Sequence, residues 1–177
     1  KALAEMKGRI YDGKRNHIKR FRRAFPDHDI KPLSSLHAKQ AFDIFYRWFE
    51  FKKKTTKPSA ATSDIALEGE NEALGRTFEA FDKLGLYGLG IFDASRLLGF
   101  VIGSGMNRHM ACLHFMYGNP DVPGIYQMLY MIAARDLFAD YKYINAEQDL
   151  GIVGLRNSKL SYHPTRLEEK FEITLIR

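Results

Sequence analysis

The stretch from Tyr143 to Pro164, YINAEQDLGIVGLRNSKLSYHP, holds many side chains that could do chemistry. A carboxylate can hold an ammonium group, and a cation can bind a phosphate or stabilise a developing oxyanion. If the strand predicted at Tyr143 continues, Asn145 and Glu147 lie on the same side of it. The candidate catalytic residues are therefore Asn145, Glu147, Asp149 and Lys159.

The cations of this stretch have a spacing that suits a phosphate or an oxyanion. Arg156 and Lys159 are three residues apart, which places both on one side of a helical turn. We assign Arg156 to substrate binding, together with Tyr162. An alternative stays open, in which Asp149 caps the following turn and Glu147 pairs with one of the cations, so that the charges only order a loop.

A basic segment near the N-terminus is a second candidate for substrate binding. The net charge is +6, and the excess is concentrated between Lys7 and Arg23. Ile18 and Phe21 recur there at helical spacing until Pro26, which predicts a basic amphipathic helix. Such a helix suits RNA or an anionic lipid headgroup, with binding that weakens as salt rises, although most basic helices are only solvated. We assign to this role Lys14, Arg15, Asn16 and His17.

Several other kinds of site are not supported by the sequence. The single cysteine, Cys112, lies in the apolar run MACLHFMYG, where a buried and inert thiol is expected. His114 in the same run is assigned to substrate binding, although a lone histidine there is more often a core residue. The histidines are scattered, and no paired-ligand spacing predicts a metal site. A Ser-His-Asp triad is compatible with the residue order, but no Gly-x-Ser-x-Gly elbow supports one.

The periodicity of the chain predicts three helices first, then a three-strand meander, and then a helix, a short strand, an irregular segment and a closing strand. Helical stripes precede Gly85, and extended segments on both sides of Asp93 to Arg96 form a hairpin. A helix starts near Pro123, and a closing strand is predicted over Lys170 to Arg177. The expected fold is α+β, with a central mixed, mostly antiparallel sheet flanked by helices. This order is also that of the GNAT acyltransferase fold, which the pattern alone leaves as one of several options.

Five blocks of the sequence resemble successive blocks of a bacterial family, the phosphatidylglycerol lysyltransferase C-terminal-like proteins. They are GKRNHIKRFRRAFPDHDIKPL, LGLYG, FDASRLLGFVIGSGMN, GIYQ and YINAEQDLGIVGLRNSKLSYHP. The resemblance implies a GNAT-like domain related to lysylphosphatidylglycerol synthases and Fem-type aminoacyltransferases, which take an amino acid from its tRNA ester. It also implies that residues 1–177 are a single GNAT-like domain, the C-terminal one of a longer tandem protein with an N-terminal GNAT-like partner domain.

The chain departs from the family pattern at the end of the third strand of the meander. Where the family reads roughly HIEKA, this sequence reads HFMYG, so that Met116 and Tyr117 replace an acid and a lysine. Ala146 stands where an arginine is frequent. If those side chains handle substrate, the substrate has changed or the activity is lost.

The resemblance favours an enzyme that transfers an amino acid from aminoacyl-tRNA to a lipid headgroup or an amine. The ester donor is already activated, so no cofactor is expected. One alternative is a non-catalytic module that binds RNA or an anionic membrane. A second is a CoA-dependent N-acetyltransferase, which is disfavoured because Pro120 and Pro123 lack the N–H groups of a pyrophosphate cradle. No apolar run of this sequence approaches the ~20 residues of a membrane span. The single cysteine fits a reducing setting, so we expect a cytoplasmic protein or one peripheral at the inner membrane face.

Overall fold

The computed structural model describes residues 2–55, 64–149, 151–169, 171 and 173–174, with only the backbone at 64–67. The helices are α1 (Ala2–Glu5), α2 (Asp12–Ala24), α3 (Ala38–Thr55), α4 (Asp64–Glu79), α5 (Ile125–Ile132) and α6 (Val153–Leu160). The strands are β1 (Asp29–Pro32), β2 (Tyr87–Asp93), β3 (Arg96–Asn107), β4 (Met110–Gly118) and β5 (Tyr143–Asn145). A π-helical turn over Ala133–Leu137 continues α5.

The strands form one five-stranded sheet in the order β1-β2-β3-β4-β5. Strands β1 to β4 pair antiparallel in sequence order, and β5 adds to β4 in parallel. The β2–β3 hairpin turns between Asp93 and Arg96, where the sequence predicts it. The structure therefore confirms an α+β fold with a mixed, mostly antiparallel sheet flanked by helices.

Two apolar clusters cover the two faces of this sheet. Because side chains alternate across a strand, neighbouring residues of β3 belong to different clusters: Val101 to one, Phe100 and Ile102 to the other. The first cluster packs the sheet against α2 and α5, and the second packs it against α3 and α4. Both helical layers therefore hold the central strands from opposite sides.

Helix α2 forms where the basic amphipathic pattern predicts it. Ile18 and Phe21 are buried in the first cluster, while most of the basic side chains remain exposed. The helix ends before Pro26, whose ring cannot continue an α-helix.

The sequence-based expectation fails at one edge of the sheet and at the C-terminal end of the chain. Strand β1 pairs with β2, but it has only four residues, DIKP, and most of them are exposed, so the sequence gives no clear strand pattern there. The closing strand predicted over Lys170 to Arg177 is wrong at the described positions 171, 173 and 174, which are not in a strand. Phe171 and Ile173 are 82% and 96% exposed, so their alternation does not face a core. Among the described helices, none has the length and apolar character needed to cross a membrane.

Candidate functional site

A cleft opens where β5 leaves β4. The two strands pair at only three positions, from Met110 with Tyr143 to Cys112 with Asn145. The chain then turns away from the sheet, and a cleft of about 910 Å³ lies along it. Its walls come from β5 and the segment after it, from α6, and from Tyr130 of α5.

Glu147 lies in this cleft at a backbone angle that side chains rarely adopt. Its φ is +55°, in the left-handed region. The side-chain Oδ1 of Asn145 accepts a hydrogen bond from the Glu147 backbone N–H at 2.8 Å, which supports this turn. The turn brings the Glu147 carboxylate back toward β4, where Oε1 lies 3.1 Å from His114 Nδ1 and 3.4 Å from Cys112 Sγ.

The other ring nitrogen of His114 also has a partner. Ser104 Oγ of β3 lies 2.8 Å from His114 Nε2. The contacts thus run from Ser104 through His114 to Glu147, the atom order of a serine-histidine-acid relay. Ser104 lies within a paired strand and not on a sharp strand-to-helix turn, so the elbow that exposes such a nucleophile is not formed there.

Asp149 and Arg156 form an ion pair at the rim of the cleft. Arg156 Nε and Nη2 donate to the two carboxylate oxygens at 2.6 and 3.2 Å, and the Gly151 backbone N–H donates to Asp149 Oδ1 at 2.9 Å. These hydrogen bonds, first that from Arg156, hold the pKa of Asp149 below its usual value. Asp149 thus caps the turn before α6, as the alternative interpretation of this stretch expects, but the cation pairs with Asp149 and not with Glu147.

Lys159 is directed at the backbone on both sides of Glu147. Its ammonium donates to the carbonyl oxygens of Ala146 and Gln148, each at 2.6 Å. Carbonyl oxygens are good partners for an ammonium group, which has three donors. Lys159 therefore clamps the turn that carries the Glu147 carboxylate.

Tyr162 joins the C-terminal segment to the N-terminal one. It is buried, its ring lies 4.3 Å from that of Tyr130, and the Lys14 ammonium lies 4.0 Å from the ring centroid. Lys14 also donates to Ser161 Oγ at 2.6 Å. Burial raises the pKa of Tyr162 and lowers that of Lys14.

The other candidates on α2 are not in the cleft. Arg15 pairs with Asp12 and donates to the carbonyl oxygens of Met6 and Gly8, so it orders the start of its own helix. Asn16 and His17 are exposed. Within the described part of the chain, neither these three residues nor the candidates Lys14 and His114 are among the residues that line the cleft.

The structure adds Cys112, Ser104 and Tyr130 to the residues predicted from the sequence. Cys112 is buried, as expected, but its sulfur contacts the Glu147 carboxylate. The two-residue spacing of Cys112 and His114 places both on one face of β4, a signal available in the sequence. Their proximity to Glu147, more than thirty residues later, comes only from the parallel pairing of β5.

The positions that depart from the family pattern have packing roles here. Tyr117 is buried in the second cluster, and its hydroxyl donates to Glu70 Oε1 at 2.5 Å. Burial, assisted by that carboxylate, raises the pKa of Tyr117. Met116 packs against the first cluster.

Comparison with known proteins gives the family. The model of the family "Phosphatidylglycerol lysyltransferase, C-terminal" matches residues 1–174. A conserved protein of unknown function from Bacteroides thetaiotaomicron VPI-5482 is 30% identical, with a TM-score of 0.80 over 94% of this chain. The match covers 54% of that protein, so the chain spans about half of its length. No curated protein matches the sequence.

More distant solved structures agree in fold. An aminoglycoside acetyltransferase from an uncultured soil metagenomic sample, in complex with sisomicin, has a TM-score of 0.55 at 12% identity, over 88% of this chain and 99% of its own. The PaiA N-acetyltransferase of Thermoplasma acidophilum, in complex with coenzyme A, has a TM-score of 0.52 at 16% identity, over 75% and 87%. The chain therefore belongs to the phosphatidylglycerol lysyltransferase C-terminal family and is an acyltransferase-like domain with a GNAT-like fold.

Proposed function

We propose that this domain transfers an amino acid from aminoacyl-tRNA to a lipid headgroup or an amine. The observation that supports this most is the placement of Glu147. Its carboxylate is 44% exposed and lies in the cleft beside β5, on a turn fixed by Asn145 and Lys159. A fixed carboxylate in a cleft of this size is suited to hold the ammonium group of an aminoacyl ester.

The transfer needs little chemistry from the protein. The acceptor nitrogen or hydroxyl oxygen attacks the ester carbonyl carbon, and a new C–N or C–O bond forms. The bond from that carbon to the ribose oxygen breaks, and the acceptor's proton ends on the ribose oxygen. Because the ester is activated, holding both reactants in line supplies much of the rate enhancement.

The basic face of α2 fits a polyanionic donor. Lys14 contacts Ser161 and Tyr162, next to the cleft, while Lys19, Arg20 and Arg23 are exposed on the same helix. Phosphates attracted to this helix would therefore reach the protein close to Glu147. Such an approach speeds association and is screened by salt.

The loop before α5, all of which the structure describes, lacks the outward-pointing backbone N–H groups that would bind coenzyme A. Pro120 and Pro123 have no backbone N–H. The Asn119 N–H donates to the Leu98 carbonyl oxygen, and the Val122 N–H donates to the Asn119 carbonyl oxygen. A GNAT-type pyrophosphate site needs such N–H groups pointing outward.

The backbone at the start of α5 is also confined. A Cβ at Gly124 would collide with the carbonyl oxygen of His17, so α2 lies against this helix start. We therefore place the donor beside β5 and assign no coenzyme to the loop.

The test is transfer by the full-length protein, with total bacterial tRNA charged with labelled amino acids and vesicles containing phosphatidylglycerol. Glu147→Gln keeps the size of the side chain and removes its charge, and we expect about a 10- to 100-fold loss of transfer. Lys159→Ala should lower the rate by loosening the turn. The control Glu168→Gln makes the same change at an exposed residue that also lines the cleft.

Two outcomes would count against the proposal. Unchanged transfer in both Glu147→Gln and Lys159→Ala would remove the site assignment. Salt-dependent binding of tRNA or vesicles without any turnover would favour a non-catalytic module, which the altered Met116 and Tyr117 positions would then explain.

A further inference from the structure

Three side chains that commonly bind metals converge where β4 meets the turn after β5, and of the three only Glu147 lines the cleft. Cys112 Sγ, a ring nitrogen of His114 and a carboxylate oxygen of Glu147 all lie within 4.8 Å of one another. Two of them come from alternate positions of β4, and the third comes from the turn after β5. A thiolate, an imidazole and a carboxylate are the three ligand types that zinc accepts in proteins.

We propose that Cys112, His114 and Glu147 form a binding site for a divalent transition-metal ion of the zinc class. The sequence predicts no metal site, because these residues do not have the short spacing of a metal motif. The register of β4 and β5 supplies the proximity instead.

The separations fit a tetrahedral ion. Zinc bonds of about 2.3 Å to sulfur and about 2.0 to 2.2 Å to nitrogen and oxygen place ligand atoms about 3.3 to 3.7 Å apart. Glu147 Oε1 lies 3.4 Å from Cys112 Sγ and 3.1 Å from His114 Nδ1. The third separation, between the sulfur and the ring nitrogen, is within 4.8 Å, so binding of the ion requires these two side chains to close around it.

The surrounding contacts are those of a metal site. A metal-bound histidine usually donates its other ring N–H to a neighbouring acceptor, which fixes the ring and its tautomer. Ser104 Oγ lies 2.8 Å from His114 Nε2 and can fill this role. Asn145 and Lys159 hold the backbone of the turn that carries Glu147, and so position its carboxylate indirectly.

Three protein ligands leave one coordination position for a water molecule or a substrate oxygen. Cys112 is buried, whereas the side chains of His114 and Glu147 are partly exposed, so we expect that position to lie on their accessible side, next to the cleft that Glu147 lines. A carbonyl oxygen of an acyl donor is one oxygen that could occupy it. This inference goes beyond the proposed function: if both hold, Glu147 Oε1 binds the metal and Oε2 is left for the donor's amine.

The experiment is a titration of the chelator-treated, untagged full-length protein with Co²⁺, which reports on its ligands by absorption. Within residues 1–177 Cys112 is the single cysteine, so a thiolate-to-cobalt band assigned to this domain identifies it. We expect a saturable band at one ion per domain, bleached by Zn²⁺. Cys112→Ala should abolish the band, and His114→Gln and Glu147→Gln should each weaken Co²⁺ binding at least tenfold.

The control variant is His109→Gln, at an exposed histidine just before β4. It should leave the band and the affinity unchanged, and circular dichroism should show that every variant is folded. The absence of a saturable thiolate band in the folded protein would overturn the inference, as would a band of unchanged intensity in folded Cys112→Ala. The titration contains no tRNA, so its failure is distinct from a failure of the transfer assay.

Discussion

Strands β3 and β4 and the segment from residue 146 to 169 lie side by side but are ordered by different forces. Most side chains of the two strands are buried, and they pack between two helical layers. In the described part of the later segment, Tyr162 alone is buried. That segment is held by hydrogen bonds and ion pairs, such as those of Asp149 with Arg156 and of Lys159 with two carbonyl oxygens.

The sheet and the later segment therefore contribute differently, the first mainly to stability and the second mainly to the orientation of reactive groups. Apolar burial stabilises the sheet in proportion to the area removed from water and needs no particular direction. Polar contacts contribute less, but they fix where a group points. The segment that carries Glu147 thus gains orientation from its contacts, while the sheet supplies the stability on which that orientation rests.

The largest effect should come from the sheet. Phe100 is fully buried in β3, so Phe100→Ala should lower the free energy of unfolding by about 3–5 kcal/mol in urea denaturation. The control Phe171→Ala makes the same change at a ring that is 82% exposed, and should alter stability by about 0.5 kcal/mol or less. Equal losses of unfolding free energy in the two variants would contradict the conclusion that the buried sheet provides most of the stability.

Two glycines with similar backbone angles give the next test. Gly124 has φ +75° beside α2, and Gly151 has φ +72° in the later segment with nothing within 4 Å of an added Cβ. Alanine at Gly151 should cost at most the ~1–2 kcal/mol of a left-handed backbone. Alanine at Gly124 should cost more, because its Cβ also meets the His17 carbonyl oxygen. Thermal unfolding of both variants measures the difference, and a smaller loss at Gly124 would contradict it.

The smallest effect should be the pH dependence of the Asp149 ion pair. The pKa of this carboxyl is lower in the folded protein, chiefly through the hydrogen bond from Arg156. Its stabilisation is therefore present above the unfolded value of about 3.9 and is lost as the pH falls through the lower folded value.

Amide hydrogen exchange can measure this effect. In Asp149→Asn, the Gly151 amide should be less protected than in the unaltered protein at pH 7, and the difference should shrink on acidification. The Val101 amide in the central sheet should not respond. A difference at Gly151 that is the same at every pH would contradict the ion-pair explanation.

Periodicity predicts the parts of the fold in which local pattern and burial agree. The buried positions of α2 and α3 recur at helical spacing, and the β2–β3 hairpin lies between two apolar runs. Strand β1 has no such pattern, because it lies at the sheet edge and most of its residues are exposed. In the predicted closing strand, Phe171 and Ile173 alternate without a face to pack on.

The candidate site could be predicted only in part, for a related reason. The polar residues after β5 identify this stretch as a candidate site, but they do not show which side chains elsewhere in the fold contact it. Asp149 pairs with Arg156 within the stretch, whereas Glu147 pairs with His114 across the sheet. Partners across a sheet depend on strand order and register, which the local sequence does not encode.

The contacts of Tyr11 and Lys14 with the segment after α6 bear on the order of folding. The Tyr11 hydroxyl donates to the Tyr162 carbonyl oxygen across 151 residues, and Lys14 reaches Ser161 across 147. Closing loops of that length has a large entropic cost, which is offset only once the intervening sheet is compact. We therefore expect the cleft to be completed last when the chain folds, and to open first under mild denaturant while the meander still persists.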